Sequence, residues 1–380
     1  MWGFTSFRIG LLLSILVLSI VATARIDARS PQASNPAPAG AVRSGEELYK
    51  AACAACHGFD GAGMPPTAIG FDVPDFTDCS FSSVEPDADW LAVVHDGGPV
   101  RGFDRRMPAF GEALTEAEIF RTIDHIHTFC GSTDWPRGEL NLPRALVTEK
   151  AFPENETVVT TRVGGGSSGV VINELLYERR FGVRNQFEVA VPFTVRESQA
   201  GQWSRGLGDV AVAVKRALFH SFRTGTIVSV AGELVLPTGK ESLGMGSGVT
   251  VFEPFVTFGQ ILPRNFFVHA QAGAELAADR DKAEHEAFWR VAVGTTIEQG
   301  RFGRAWSPMI EVLQARELEA GIPAEWDVVP QMQVTLNKRQ HLMINAGVRI
   351  PVTGRDEGRR AQFISYFLWD WFDGSLSDGW

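Results

Sequence analysis

The chain has 380 residues, enough for more than one domain, and 44% of them are hydrophobic. Of its 35 basic and 45 acidic side chains, 6 and 16 fall between residues 43 and 135, leaving 29 of each elsewhere. An acidic first part beside a neutral remainder argues against a nucleic-acid binder. It points to a basic or cationic partner, or simply to a solvated acidic face.

The first element is a leader. Arg8 precedes an apolar run from Ile9 to Val21, and Ala22-Thr23-Ala24 supplies a small-x-small cleavage site. The run is about 13 residues, short of the roughly 20 a spanning helix needs, so cleavage near Ala24 is favoured over an uncleaved anchor. Residues 1–24 are expected to be a signal peptide, and residues 25–42, rich in Pro, Ala, Ser and Asn, a flexible linker. Export places the four cysteines in an oxidising compartment, and four are too few to staple so long a chain.

"AACAACHGFDGAGMPP" follows, spanning Ala51 to Pro66. Cys53 and Cys56 stand one helical turn apart on a helix expected to start near Ser44-Gly45-Glu46, with His57 next in sequence. Two thiols at this spacing can add to the two vinyl groups of one haem, while the adjacent imidazole reaches the iron. A zinc site needs about four ligands and no second Cys-x-x-Cys exists; a thioredoxin-like dithiol expects a βαβ context that is absent. The favoured sixth ligand is Met107 in "RRMPAFGEALTEAEIF", on a loop before a helix. A thioether there raises the reduction potential and closes the iron to substrate. Met64 lies too near His57 to cross to the opposite haem face, and His95, His125 and His127 are expected at the surface. Thr115 and Glu118 form a capping box ahead of an apolar stripe of Ile119, Ile123 and Ile126.

With its Cys-x-x-Cys-His, its Met-Pro loop and its closing helix, the segment "GEELYKAACAACHGFDGAG…RRMPAFGEALTEAEIFRTIDHI" resembles a small class I cytochrome c. The resemblance implies an all-α domain over residues 43–135 carrying one haem c, covalently bound by Cys53 and Cys56, with His57 and Met107 on the iron. Cys79 and Cys130 fall outside that pattern; a bridge between them would tie the middle loop to the end of the last helix.

A Pro-punctuated linker is expected over 136–155, and from residue 156 to 380 the apolar period becomes two. Phe187, Val189, Val191, Phe193 and Val195 share one face, and Leu342, Ile344, Ala346, Val348, Ile350 and Val352 share another, opposite Asn345, Gly347 and Arg349. About twelve such stretches of 10 to 14 residues are separated by Gly, Pro, Asn or charged clusters. That length suits strands crossing an outer membrane, whereas soluble strands average about five or six. A soluble β-sandwich is the alternative. Against it stand Arg290, Thr296, Asp327, Gln331 and Gln333 opposite the apolar faces, as a watery lumen would require. Trp289, Trp306, Trp326, Trp369 and Trp371 also sit near strand ends. The stretches "GLGDVAVAVKRALF", "GELVLPTGKE" and "FEPFVTFGQIL" resemble the outer-membrane barrel family associated with meta-pathway phenol degradation. The fold class expected is therefore a cytochrome c domain followed by an antiparallel outer-membrane β-barrel of about 12 strands.

Such a barrel is too narrow for a folded plug of about 90 residues, so the cytochrome is expected at its periplasmic mouth. The architecture is similar to the fused cytochrome-porins of iron-oxidising bacteria. It departs from them in the Met-Pro loop and the shorter barrel, which leaves iron as donor open. The expected function is electron transfer, not enzymatic catalysis, between periplasmic carriers and an extracellular or pore-borne small-molecule or metal-ion partner. Lipid surrounds the barrel and no nucleic acid takes part. The alternative is a transport porin whose cytochrome senses redox state or docks a partner.

Overall fold

A computed structural model describes residues 42–164, 169–197, 201–299, 304–356 and 358–380. The expected signal peptide, and the expected linker apart from Val42, lie outside them.

Ser44 starts helix α1 (Gly45–Ala52) with a capping box: its side chain accepts from the Glu47 backbone while Glu47 reaches back to the Ser44 N–H. The helix breaks at Cys53 and resumes as a single turn, α2 (Ala54–His57), ended by Gly58 at φ 74°. Two more single turns, α3 (Pro66–Ile69) and α4 (Cys79–Ser82), lead to α5 (Asp87–Asp96) and α6 (Glu116–Ile126). Thr115 and Glu118 form the second capping box, and Ile119, Ile123 and Ile126 are buried on the inner face of α6. There they pack with Leu48, Tyr49 and Val94, so α1, α5 and α6 share the helical core. Cys79 and Cys130 are joined by a disulfide. His127 departs from its expected surface position. It is half-buried, with Nε2 2.9 Å from Asp87 Oδ1, and Arg137 Nη2 lies 2.7 Å from the same oxygen.

The second part is one closed antiparallel sheet. Its strands are β1 (Glu156–Gly164), β2 (Val170–Phe181), β3 (Asn185–Glu197), β4 (Trp203–Leu207), β5 (Val210–Ser221), β6 (Thr226–Leu236) and β7 (Val251–Ile261). They continue with β8 (Phe266–Ala277), β9 (Glu286–Thr295), β10 (Ile297–Gln299), β11 (Arg304–Glu317), β12 (Glu325–Thr335), β13 (Leu342–Pro351) and β14 (Gln362–Asp370). The first pairs with the last, from Glu156 opposite Asp370 to Gly164 opposite Gln362, which closes the ring. Short β4 is a flap on β3, and β10 extends the line of β9 along β11, so twelve strands make the wall.

The wall is inverted relative to a soluble protein. Phe187, Phe193, Val214, Phe252, Val256, Ile344 and Phe363 point outward and are exposed, while Glu178, Gln186, Lys215, Gln271, Glu311 and Asn345 point inward and are buried. Outward side chains this apolar need lipid for solvent, and the period of two that separates the faces also separates the solvents. No helix among the described residues is long and apolar enough to cross a membrane.

One end of the barrel has short turns (182–184, 222–225, 262–265 and 336–341) and the other long loops (237–250, 278–285 and 318–324). The helical part sits at the short-turn end. Arg184 Nη2 lies 2.9 Å from Asp134 Oδ1, and the Arg137 guanidinium lies 5.0 Å over the Phe222 ring.

The stretch expected as a linker does more than connect. Residues 138–155 fold into the barrel lumen from the short-turn end and return to it, with Leu142, Ala145, Leu146, Ala151 and Phe152 buried against the inner wall. Their backbone is satisfied by wall side chains. Glu311 accepts from the N–H groups of Leu146 (3.1 Å), Val147 (3.2 Å) and Thr148 (2.7 Å), and the Tyr366 hydroxyl donates to the Arg144 carbonyl at 2.6 Å. Arg144 Nη1 reaches Glu156 at 2.6 Å and Glu178 at 2.8 Å, and Lys150 pairs with Glu154. A folded plug does not fit in twelve strands; a short segment folded back on itself does, with Leu142 and Ala151 both against Gly259.

Candidate functional site

The helical domain keeps an apolar cavity of about 470 Å³, and the sequence-predicted residues meet there. Cys53, Cys56 and His57 line it from the α1–α2 break, and Met107 from the loop before α6. Among the described residues lining it, His57 and Met107 are the sole histidine and the sole methionine. Met64 does not line the cavity, and its backbone N–H donates to the Cys56 carbonyl at 2.9 Å. His95 is at the surface beside Asp96, and His125 packs its ring on Tyr49 and Phe129.

Local geometry brings the three motif residues to one wall. Cys56 and His57 both donate backbone N–H to the Cys53 carbonyl, at 3.1 and 3.0 Å, so the motif closes into one turn with its side chains on the cavity side. The Tyr49 hydroxyl donates to the Gly58 carbonyl at 2.8 Å and holds the end of that turn. His57 lies against Phe76, ring centroids 4.6 Å apart. Its Nδ1 is buried without a hydrogen bond of good geometry, and the Pro74 carbonyl is the nearby acceptor. Metal-bound imidazoles commonly donate their second N–H to such a carbonyl.

Burial lowers the His57 pKa, outweighing the Pro74 carbonyl, and so favours the neutral imidazole that a metal takes. Burial, with the neighbouring Cys56, pushes the Cys53 thiol up to about 11. Redox-active Cys-x-x-Cys pairs work in the opposite direction, through a depressed thiol pKa, so the chemistry here does not suit a dithiol oxidant.

Met107 is held from behind by glycines. Gly98 N–H donates to the Met107 carbonyl at 3.0 Å, and a Cβ on Gly98 would fall 2.3 Å from the Asp104 carbonyl oxygen. Gly97, at φ 84°, lies just as close to the loop, its added Cβ 3.1 Å from the Met107 carbonyl oxygen. The remaining wall includes Phe71, Phe76, Trp90, Val93, Val94 and Phe110. Sequence reasoning missed these; the one available signal was the Gly97-Gly98 pair. It also missed Arg339 and Asp373, which reach the cavity from the barrel.

An apolar space with two thiols and an imidazole on one wall and a thioether lining the same space fits a haem. Comparison with known proteins agrees for this part of the chain. Residues 40–126 match the family model described as Cytochrome C oxidase, cbb3-type, subunit III. The chain is a cytochrome c domain followed by a closed twelve-stranded antiparallel β-barrel.

Among solved structures, the chain is similar to the NanC porin at 9% identity and a TM-score of 0.38, over 56% of this chain and 97% of that one. It is similar to the KdgM porin, solved with disordered oligogalacturonate, at 9% identity and 0.34, over 56% and 98%. The β domain of the Bordetella autotransporter BrkA is 13% identical at 0.36, over 57% and 98%. No curated protein matches the chain.

Proposed function

We propose that the protein is an outer-membrane electron-transfer protein carrying one covalently bound haem c at the inner mouth of its barrel. It would pass electrons between periplasmic carriers and a partner at the barrel. The observation that carries this reading is the convergence of Cys53, Cys56, His57 and Met107 on one apolar cavity. Cys53 and Cys56 would attach the haem, and His57 and Met107 would hold its iron. When bound, the haem supplies a one-electron centre, and thioether ligation raises its potential. With His57 and Met107 both on the iron, this chain would leave no protein-free position for substrate, which supports a relay. The apolar walls from Phe76, Trp90 and Phe110 keep water from that centre.

The wall and the ends support this placement. The outward apolar band supports a membrane setting, and outer-membrane barrels carry short turns on the periplasmic side and long loops outside. The helical domain lies at the short-turn end. The alternative of an open transport porin is weakened by the chain within the lumen, since residues 138–155 hydrogen-bond to opposite walls.

The test is Met107→Ala in the full-length protein. The expected result is retained haem, loss of the sulfur-to-iron charge-transfer band and a lowered potential; an unchanged band and potential would assign the sixth position to another residue. Full-length protein in liposomes enclosing an electron acceptor should pass electrons from an external donor in a haem-dependent manner. Solute flux without such electron flux would favour the transport reading.

A further inference from the structure

We propose that the barrel itself sets the position of the axial-ligand loop, with Arg339, on the turn between β12 and β13, as the positioning residue for Met107. This rests on the haem reading above. The loop from Gly97 to Met107 is fixed on its inner side by the α5 end, but its outer side is held by barrel residues. Arg339 Nη2 donates to the Gly102 carbonyl at 2.8 Å, and Nε approaches the Arg101 carbonyl at 3.4 Å. The same guanidinium lies 4.3 Å over the Phe103 ring, and its Nη1 donates to the Asp373 carbonyl at 3.1 Å.

One rigid fork thus ties the cytochrome loop to the segment following the last strand. Lysine, a point charge on a flexible stem, could not reproduce that geometry. Arg339 and Asp373 also form part of the cavity wall, so the barrel completes the site.

A second contact runs beside the first. Gly102, at φ 70°, meets Gly379 backbone to backbone, and a Cβ on Gly102 would stand 2.4 Å from the Gly379 Cα. The tail that presents Gly379 is tied to the same barrel turn. Lys338 N–H donates to the Gly379 carbonyl at 2.6 Å, Asn337 Nδ2 to the Asp378 carbonyl at 2.9 Å, and His341 Nε2 lies 2.9 Å from the Ser375 carbonyl. From Gly102 the restraint passes inward through short turns, Phe103 N–H to the Gly98 carbonyl at 2.9 Å and Met107 N–H to the Asp104 carbonyl at 3.1 Å. A change in the barrel turn therefore reaches the thioether within a few residues, without crossing the helical core.

The experiment compares full-length, haem-loaded wild type with Arg339→Gln and Gly379→Ala. Haem content and heat-modifiable migration check folding; the sulfur-to-iron band and the midpoint potential are the readouts. Gly379→Ala changes no charge and no cytochrome residue, but its Cβ would fall 2.5 Å from Arg339 Cβ at φ 69°, which forces the clamp apart. Both variants are expected to keep their haem, weaken the band and lower the potential. A full band in both would overturn the proposal, even if Arg339→Gln alone shifted the potential, because removing a nearby positive charge does that without moving the ligand. Absence of the band in the wild type would instead defeat the Met107 assignment, and this inference with it.

Discussion

The two halves of this protein treat their interiors in opposite ways. The helical domain surrounds an apolar space with Phe76, Trp90, Val94 and Phe110 and leaves it open, whereas the barrel surrounds a polar space and fills it with its own residues 138–155. In the lumen, charges answer one another: Arg144 with Glu156 and Glu178, and Lys215 with Glu188 at 3.3 Å. Around the apolar cavity two thiols, an imidazole and a thioether face one space. An open apolar space lined by two thiols, an imidazole and a thioether is a place for a ligand, while a polar space crossed by ion pairs and backbone hydrogen bonds is structural.

The sharpest way to break the comparison is to remove the thiols. Cys53→Ser with Cys56→Ser is expected to abolish haem that survives denaturing electrophoresis while leaving heat-modifiable barrel migration intact; retained haem would show that attachment lies elsewhere. In the lumen, Arg144→Met takes the arginine from the buried Glu178 and leaves Glu156 with Lys150 alone, at 3.4 Å, and should cost about 3–5 kcal/mol of barrel stability. Its haem spectrum should be unchanged, and denaturant titration of barrel migration checks the cost. A loss below about 1 kcal/mol would mean the lumen tolerates unpaired charge and is wetter than described.

Opening the Cys79–Cys130 bridge releases a 51-residue separation, which the loop-entropy relation values at about 4 kcal/mol. That loss should fall on the helical domain, read from thermal loss of haem absorbance, and not on the barrel. The smallest effect is Thr115→Ala, about 1 kcal/mol on the helical domain through its lost cap. The same cap carries a pH signature. The Thr115 backbone N–H, then Arg43, hold the Glu118 carboxyl at about 2 against an ordinary 4.5. The folded value lies below the unfolded one, so this stability is complete above about 4.5 and disappears as pH falls toward 2. Glu118→Gln should flatten the acid limb of helical-domain stability; an identical limb would assign it to other carboxylates.

Much of this was legible in the linear order. The spacing of Cys53, Cys56 and His57 is a local property, because residues one turn apart on a helix share a face whatever surrounds them. The Thr115 and Glu118 box is local for the same reason, and the alternation in Phe187 to Val195 separates lipid from lumen before any register is known. Hence the sequence alone determined a haem-type motif, a capped closing helix and about twelve strands of membrane length.

Three things waited for the tertiary structure. Residues 138–155 read as a spacer, because a Pro-punctuated stretch with no period gives no sign that Glu311, Gln331 and Tyr366, each more than 160 residues away, will satisfy its backbone. His127 looked exposed because its partner Asp87 lies 40 residues back on another helix. Arg339, 237 residues from Gly102, became a neighbour of the ligand loop only when ring closure brought the barrel turns against the helical domain. Periodicity is written in each segment, but pairing between distant segments depends on which strands close the barrel, and that is decided only when the whole chain has folded.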